Sequence, residues 1–324
     1  MVIHESELRA RLHGDDDEDV YDALVEHFEA EHGGSPFVAA WRLRSGLRIE
    51  ADRALEAIGD AVRPRLKDRL LDLANDAQRA WRRIRFERRR AENPHWPVIV
   101  CEGDSWVAHP YIEDLTDHLL DDDDLPVLAL GVGAASDLLG RMEGTRDHER
   151  AIEQHRASAL LLSGGGNDLM LRFHEFLHPW RTGADPKRLL TPAVDDHMLA
   201  LVGTIRQMLL RVRRRQPTLP VLVHGYDYLR VGDVGDDGYL ARFFDAAGIR
   251  SGDERRAVLW AIVDRYNEHL RSTCECVAGV SYVDLRGIVT HDSMWHDDIH
   301  PTDDGFALMS TRVGEVLLQR LSDG

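Results

Sequence analysis

A chain of 324 residues with 43% hydrophobic and 30% charged residues can bury one large core, or a domain core and a smaller appendage. Its formal net charge of −17 opposes general attraction to nucleic acid, so we expect no nucleic-acid partner. Three cysteines are too few for a disulfide framework, and the first residues lack the apolar segment of a secretory signal. Since no apolar run approaches the length of a membrane span, we expect a cytoplasmic protein.

Residues 1–93 show helical patterns and no strand-like run. Apolar residues between Val20 and Phe28 recur at helical spacing, Phe37 to Leu47 resumes such a pattern, and a longer stretch runs from about Glu50 to Arg90. We therefore predict a helical N-terminal region, a hairpin or small bundle, without a catalytic constellation. This region could act as a lid or hold an oligomer together.

From Pro94 onward, short apolar runs alternate with helical stretches. The runs are Val98–Cys101, Val127–Leu130, Ala159–Leu162, Val221–Val223 and Val280–Val283. Such alternation predicts a parallel sheet covered by helices on both faces. We therefore predict an α/β fold over residues 94–324, a flavodoxin-like three-layer α/β/α domain with a five-stranded parallel sheet. Long connections at 171–191 and 232–252 fall at the carboxyl edge of this sheet, where they could wall a cleft.

The first buried strand ends at Glu102 and Gly103, and Asp104, Ser105 and Trp106 follow at once. Open parallel sheets place their active sites at the carboxyl ends of strands, which makes Ser105 a candidate nucleophile. Most serines in such turns are helix caps or turn residues, so Ser105 taken alone leaves both interpretations open.

Three later segments also follow strands or precede the last helix. GVGAAS contains Gly131 and Gly133, and it fits a bare turn as well as a glycine-rich loop that holds a ligand. In GGGND, Asn167 offers amide donors or forms a turn that caps a helix. In DDIH, Asp297 stands three residues before His300, the spacing of a base and the carboxylate that orients it.

The last segment leaves two alternatives open. Asp298 is a rival to Asp297 as the orienting carboxylate. His291 and His296 could join Asp297 as metal ligands in a metal-dependent phosphoesterase. No helical histidine pair fixes such ligands, so we expect no metal and no cofactor.

Taken in chain order, these segments resemble the four blocks of the SGNH (GDSL-type) hydrolase family, which supply Ser, Gly, Asn and His. Gly103-Asp104-Ser105 is similar to the first block, and Gly133 stands where the second has its glycine. Gly165-Gly166-Asn167-Asp168 is similar to the third block, and Asp297-Asp298-Ile299-His300 to the fourth. The chain departs from the family pattern at Trp106, where the family has Leu. The second block also has few identifying residues, which leaves Gly131 as a rival to Gly133.

The resemblance implies a serine hydrolase, either an esterase or lipase or a carbohydrate O-deacetylase. It would cleave a small-molecule or glycan ester through an acyl-enzyme on Ser105, with His300 as base and Asp297 orienting it. The implied oxyanion hole consists of the backbone N–H groups of Ser105 and Gly133 and the side-chain amide of Asn167.

Trp106 and Tyr226 could line a pocket for an apolar acyl chain, stack on a sugar, or simply belong to the core. A binding or scaffold protein that keeps the fold without turnover is the alternative to an enzyme. Labelling of Ser105 by a fluorophosphonate separates the two.

Overall fold

The computed structural model of the chain describes residues 2–12, 17–30, 41–44, 47–50, 66–109, 112–135, 137–181, 185–232 and 238–322. The chain divides into two compact units, Met1–Pro94 and His95–Gly324. Within the described ranges, every helix is too short or too polar to cross a membrane.

The first unit contains short strands as well as helices. In chain order its elements are β1 Val2–His4, α1 Glu5–Leu12, α2 Asp17–His27, β2 Phe28–Ala30, β3 Trp41–Leu43, β4 Arg48–Glu50 and α3 Leu66–Glu92. Strand β1 pairs in parallel with β4, and β2 pairs antiparallel with β3. Helix α2 packs against both α1 and α3.

The prediction that residues 1–93 lack strands is therefore wrong, although α2 and α3 lie where helices were predicted. Strands of three residues are too short to display the alternation that identifies a strand in a sequence. The strand that pairs with β1 is β4, more than 40 residues further along the chain. The stretch 37–47 contains β3 instead of a helix, and its residues 37–40, 45 and 46 lie outside the described part. Residues 51–65 of the long predicted helix also lie outside it.

The second unit is built on a five-stranded sheet whose order is β6-β5-β7-β8-β9. Its strands are β5 Val98–Glu102, β6 Leu128–Gly131, β7 Ala159–Leu162, β8 Val221–His224 and β9 Val280–Val283. All neighbouring strands are parallel, and the order corresponds to 2-1-3-4-5 within the domain, as in flavodoxin-like folds. The predicted α/β/α architecture is confirmed.

Helices and short 3₁₀ turns connect these strands. The helices are α4 Leu115–Asp121, α5 Leu139–Thr145, α6 Asp147–His155, α7 Gly166–Leu171, α8 Pro192–Arg215, α9 Ala241–Ala247, α10 Gly252–Glu275 and α11 Asp303–Ser322. The 3₁₀ turns are Phe173–Glu175, Pro186–Leu189 and Asp292–Met294. Every residue of β5, β7 and β8 is buried, which explains why these strands read as continuous apolar runs.

The strand order also decides where a site can form. The chain leaves β5 toward β6 on one side and then crosses to β7 on the other, so the strand order reverses between β5 and β7. A crevice opens at such a point beyond the carboxyl ends of the strands. Ser105 follows β5, and Asn167 follows β7, so both lie at this crevice.

Candidate active site

Ser105, His300 and Asp297 form one hydrogen-bonded chain. The Oγ of Ser105 lies 2.7 Å from Nε2 of His300, and Nδ1 of His300 lies 2.8 Å from Oδ2 of Asp297. Because a carboxylate faces Nδ1, the proton resides there, and the lone pair of Nε2 accepts from the serine hydroxyl. Ser105 and His300 are both buried, so little water competes for these bonds.

The Asp297 carboxylate is held by its own loop. Its Oδ1 accepts hydrogen bonds from the backbone N–H groups of Ile299, at 2.8 Å, and His300, at 2.7 Å. Burial raises the pKa of Asp297, but the imidazole of His300 and these hydrogen bonds outweigh it and hold the pKa below its usual value. Asp297 is therefore ionised when His300 takes up a proton.

The rival carboxylate, Asp298, points elsewhere. Its Oδ2 accepts a hydrogen bond of 2.8 Å from the backbone N–H of Leu240, on the connection after β8. Asp298 thus joins two loops, whereas the carboxylate that contacts the imidazole of His300 is that of Asp297.

The alternative metal site does not assemble. Among the residues that the structure describes, no three His, Cys, Asp or Glu side chains are grouped so that they could hold a metal ion. The carboxylate of Asp297 is hydrogen-bonded to His300, while His291 is exposed at the start of the 3₁₀ turn Asp292–Met294.

A buried tyrosine–aspartate contact supports the turn after β5 that carries Ser105. The hydroxyl of Tyr226 donates to Oδ2 of Asp104 at 2.5 Å and accepts from the backbone N–H of Gly166 at 2.8 Å. The other carboxylate oxygen of Asp104 accepts from the backbone N–H of Trp106. Burial raises the pKa of Asp104, and burial together with the Asp104 charge raises the pKa of Tyr226 well above its usual value. Tyr226 thereby joins the turn after β5 to the turn after β7.

The two glycines of the second block are not equivalent. Gly131 ends β6, and a Cβ there would only press on the side chain of Thr116. A Cβ at Gly133 would collide with the backbone of Gly103, beside Ser105. The loop that carries Gly133 therefore lies directly against the turn that carries Ser105, and glycine is required for this approach.

Asn167 uses both amide hydrogens within the protein. Its Nδ2 donates to the carbonyl oxygens of Ala135 and Asp137, each at 2.9 Å. In this state the side chain braces the loop that follows Gly133. The oxyanion role of Asn167 stays a prediction, and it requires one of these hydrogen bonds to be exchanged for the substrate oxygen.

A cavity of about 40 Å³ opens next to Ser105, and Trp106 and Tyr226 both line it. Other aromatic residues of the long connections lie elsewhere. Phe173 and Phe176 pack with each other, and Phe173 also contacts Phe243, in a separate buried cluster.

The sequence interpretation missed His109, which is buried against the histidine of the site. The ring centroids of His109 and His300 lie 4.7 Å apart at an interplanar angle of 71°. A histidine shortly after the nucleophile was the only available signal, and no pattern distinguished it from the other histidines of the chain.

A serine in the turn after β5, in contact with a histidine and an aspartate of the loop before α11, is an arrangement typical of hydrolases that form an acyl-enzyme. The family model described as the GDSL-like Lipase/Acylhydrolase family matches residues 101–308. This chain belongs to that family and is an ester hydrolase. The resemblance noted in the sequence is confirmed.

Several solved structures are similar to the chain at low identity. The extracellular lipase from Streptomyces rimosus is 13% identical with a TM-score of 0.44, covering 67% of this chain and 99% of that one. The phospholipase A1 from Streptomyces albidoflavus NA297 is 16% identical with a TM-score of 0.42, covering 67% and 99%. A carbohydrate esterase family 3 protein from Talaromyces cellulolyticus is 12% identical with a TM-score of 0.41, covering 70% and 99%. No curated protein matches the chain.

Proposed function

We propose that this protein hydrolyses carboxylic esters in two steps through an acyl-enzyme on Ser105. The observation that carries the proposal is the 2.7 Å contact between Oγ of Ser105 and Nε2 of His300, whose other nitrogen is held by Asp297. A serine hydroxyl becomes a useful nucleophile when a base in hydrogen-bond contact removes its proton as it attacks.

In the first step, Oγ of Ser105 attacks the ester carbonyl carbon while Nε2 of His300 takes the hydroxyl proton. The tetrahedral intermediate collapses, the bond to the alcohol oxygen breaks, and His300 returns the proton to the leaving alcohol. Water then attacks the acyl-enzyme while His300 takes a proton from it, the bond between the acyl carbon and Oγ of Ser105 breaks, and His300 returns the proton to Oγ as the carboxylic acid leaves. Asp297 stabilises the imidazolium in both steps.

The developing oxyanion needs donors near Ser105. The backbone N–H groups of Ser105 and Gly133 donate to no other group in the part of the chain that the structure describes, which supports their assignment as oxyanion donors. Asn167 supplies a third donor when its amide releases Ala135 or Asp137. Loss of one such donor typically costs on the order of a hundredfold or more in rate.

A fluorophosphonate probe tests the nucleophile. We expect covalent labelling of the wild-type protein and hydrolysis of p-nitrophenyl esters, and we expect both to be lost in Ser105→Ala. Ser163→Ala is the matched control: Ser163 is a buried serine at the end of the neighbouring strand, and among the described residues its hydroxyl has no hydrogen-bond partner.

The same experiment tests the alternative that the protein is a scaffold without turnover. A folded wild-type protein that neither reacts with the probe nor hydrolyses esters of any acyl length would be a binding protein with this fold. Equal labelling of wild type and Ser105→Ala would place the nucleophile elsewhere.

A further inference from the structure

The cavity beside Ser105 has one polar side and otherwise apolar walls. The polar side consists of the reacting groups, with Ser105, Asn167 and His300 among its lining residues. The remaining walls come mainly from two helices and one loop. Their apolar members are Leu169 and Met170 on α7, Leu259, Ile262 and Val263 on α10, and Leu229 on the connection after β8.

The hydroxyl protons of the two tyrosines in these walls are already donated within the protein. The hydroxyl of Tyr226 is shared between Asp104 and Gly166, and the hydroxyl of Tyr266 donates to the carbonyl oxygen of Gly164 at 2.5 Å. A sugar ring carries several hydroxyls that need partners, and burying them against such walls would leave them unsatisfied. A hydrocarbon chain needs no hydrogen-bond partners.

The size of the cavity limits the length of that chain. One water-sized sphere needs about 10–15 Å³ of such volume. A cavity of about 40 Å³ therefore holds about three or four groups of that size. Side chains of α7 and α10 line this space, so an acyl chain that exceeds its volume must extend beyond the apolar walls and gains no further burial there.

Resting on the proposed ester hydrolysis at Ser105, we propose that this cavity is the acyl pocket and that it selects a short unbranched acyl group of about four carbons, a butanoyl ester. The alcohol part of the substrate lies outside the pocket. Leu169, Ile262 and Val263 are then the residues that determine acyl length.

Kinetics on p-nitrophenyl acetate, butanoate and octanoate test the proposal. Each buried methylene contributes about fourfold in kcat/KM, so butanoate, with two more methylenes, should exceed acetate by about fifteenfold, and octanoate should fall below butanoate. Equal or higher kcat/KM on acetate, or on an acetylated sugar, would overturn the acyl pocket.

Variants test the walls themselves. Leu169→Ala should move the preferred acyl length upward by one or two carbons, and Val263→Phe should confine the enzyme to acetate. Leu199→Ala on α8 is the matched control, since this leucine is 54% exposed and does not line the cavity.

Fluorophosphonate labelling of Ser105 in each variant keeps the two proposals separate. Labelled variants with an unchanged acyl-length profile would overturn the pocket and leave the serine mechanism standing. Absence of labelling in the wild-type protein would overturn both. Unfolding midpoints show whether Val263→Phe is folded, and Leu169→Ala carries the test if it is not.

A different observation concerns His109. The backbone N–H of Ile112 donates to its Nδ1 at 3.0 Å, so in the neutral ring the proton is on Nε2. Its own backbone N–H donates to Asp114, the N-cap of α4. The first contact holds the ring and the second holds the backbone that carries it. The ring meets the imidazole of His300 edge to face.

We infer that His109 is a positioning residue for His300 in the second step. In the resting enzyme, hydrogen bonds to Ser105 and Asp297 hold the imidazole at both nitrogens. Once Ser105 is acylated, the hydroxyl no longer donates to Nε2. The orientation of His300 toward the attacking water then depends on Asp297 and on the ring of His109.

Two substitutions separate the ring contact from the hydrogen bond. His109→Phe keeps a ring against His300 and loses the acceptor for Ile112, whereas His109→Asn keeps an acceptor and loses the ring. We expect His109→Asn to lower the deacylation rate by about two- to tenfold, the effect of losing one edge-to-face contact. We expect His109→Phe to keep the deacylation rate close to that of the wild type. Labelling of Ser105 by a fluorophosphonate should change little in either variant.

A merely structural role makes the opposite prediction. His109→Phe would then be the more impaired enzyme as well as the less stable protein, because the N–H of Ile112 loses its partner. That order of deacylation rates, or equal rates in both variants, would contradict the inference.

Discussion

The indole of Trp106 donates a hydrogen bond of 2.9 Å to the carbonyl oxygen of Ile299. This contact joins the residue after the candidate nucleophile to the residue before the candidate base. Its ring also meets Tyr226 and Phe306 edge to face, with centroids at 5.1 and 5.8 Å. A leucine, which the resemblance leads one to expect at this position, could fill part of the space but could not donate. Trp106 therefore couples two loops that must stay in register for catalysis.

Trp106→Phe isolates the hydrogen bond, because the phenyl ring keeps the edge contacts while the buried carbonyl of Ile299 loses its donor. We expect the free energy of unfolding to fall by about 1–3 kcal/mol and kcat to fall by up to about a hundredfold through misplacement of His300. Trp260→Phe is the matched control, since its indole donates at 3.2 Å to Leu229 but is 41% exposed. Urea unfolding and ester hydrolysis measure both, and equal effects at the two tryptophans would contradict the coupling.

Asp297→Asn should remove the orienting charge while keeping an oxygen for the backbone N–H groups of its loop. We expect kcat to fall by about 10⁴-fold with little loss of stability, as in serine protease triads. Asp298→Asn keeps a carbonyl oxygen for the N–H of Leu240 and should leave kcat within about twofold, the scale of a surface change. Ester hydrolysis by the two purified variants, compared with wild type, decides between the carboxylates. A larger loss in Asp298→Asn would reverse their roles.

Asn167→Ala tests whether this amide serves the oxyanion or only the loop. An oxyanion donor predicts a loss on the order of a hundredfold both in kcat and in affinity for a boronic acid, which forms a tetrahedral adduct with the serine. A loop brace alone predicts lower stability, with boronate affinity unchanged in the folded protein. Asn267→Ala is the control, because Nδ2 of Asn267 likewise donates to two backbone carbonyl oxygens, at 2.8 and 3.0 Å.

The buried His224 should make the folded protein less stable at acidic pH. It is fully buried, its Nδ1 donates to the carbonyl oxygen of Gly225, and burial lowers its pKa from 6.5 to about 4. Between these values the unfolded chain binds a proton that the folded protein does not. Stability should therefore fall as the pH drops from 6.5 toward 4, by about 3 kcal/mol from this group, and not further below that range.

His224→Asn keeps a donor for Gly225 and cannot titrate. Urea unfolding at pH 7 and pH 4.5 should show a smaller pH-dependent loss for this variant than for wild type. Parallel losses in both proteins would contradict the assignment to His224.

The sheet could be predicted from sequence because β5, β7 and β8 are buried on both faces and therefore appear as uninterrupted apolar runs. The strands of the first unit could not be predicted, since three residues carry no measurable alternation and their pairing partners are remote. The same limit applies to Tyr226. Its position after β8 placed it near the sheet edge, but its contact with Asp104 depends on the side chains of two turns far apart in the chain.

The α/β class, the positions of the sheet strands and the four blocks are readable from the sequence, because buried strands and the polar residues that follow them form local patterns. The tertiary structure was needed to show that Asp297, and not Asp298, contacts the imidazole of His300, that Gly133 lies against Gly103, and that His109 packs on His300. These choices depend on distances of a few ångströms between segments that fold together from remote parts of the chain. Local sequence patterns record which residues are buried, whereas the order and crossing of the strands decide which of them meet.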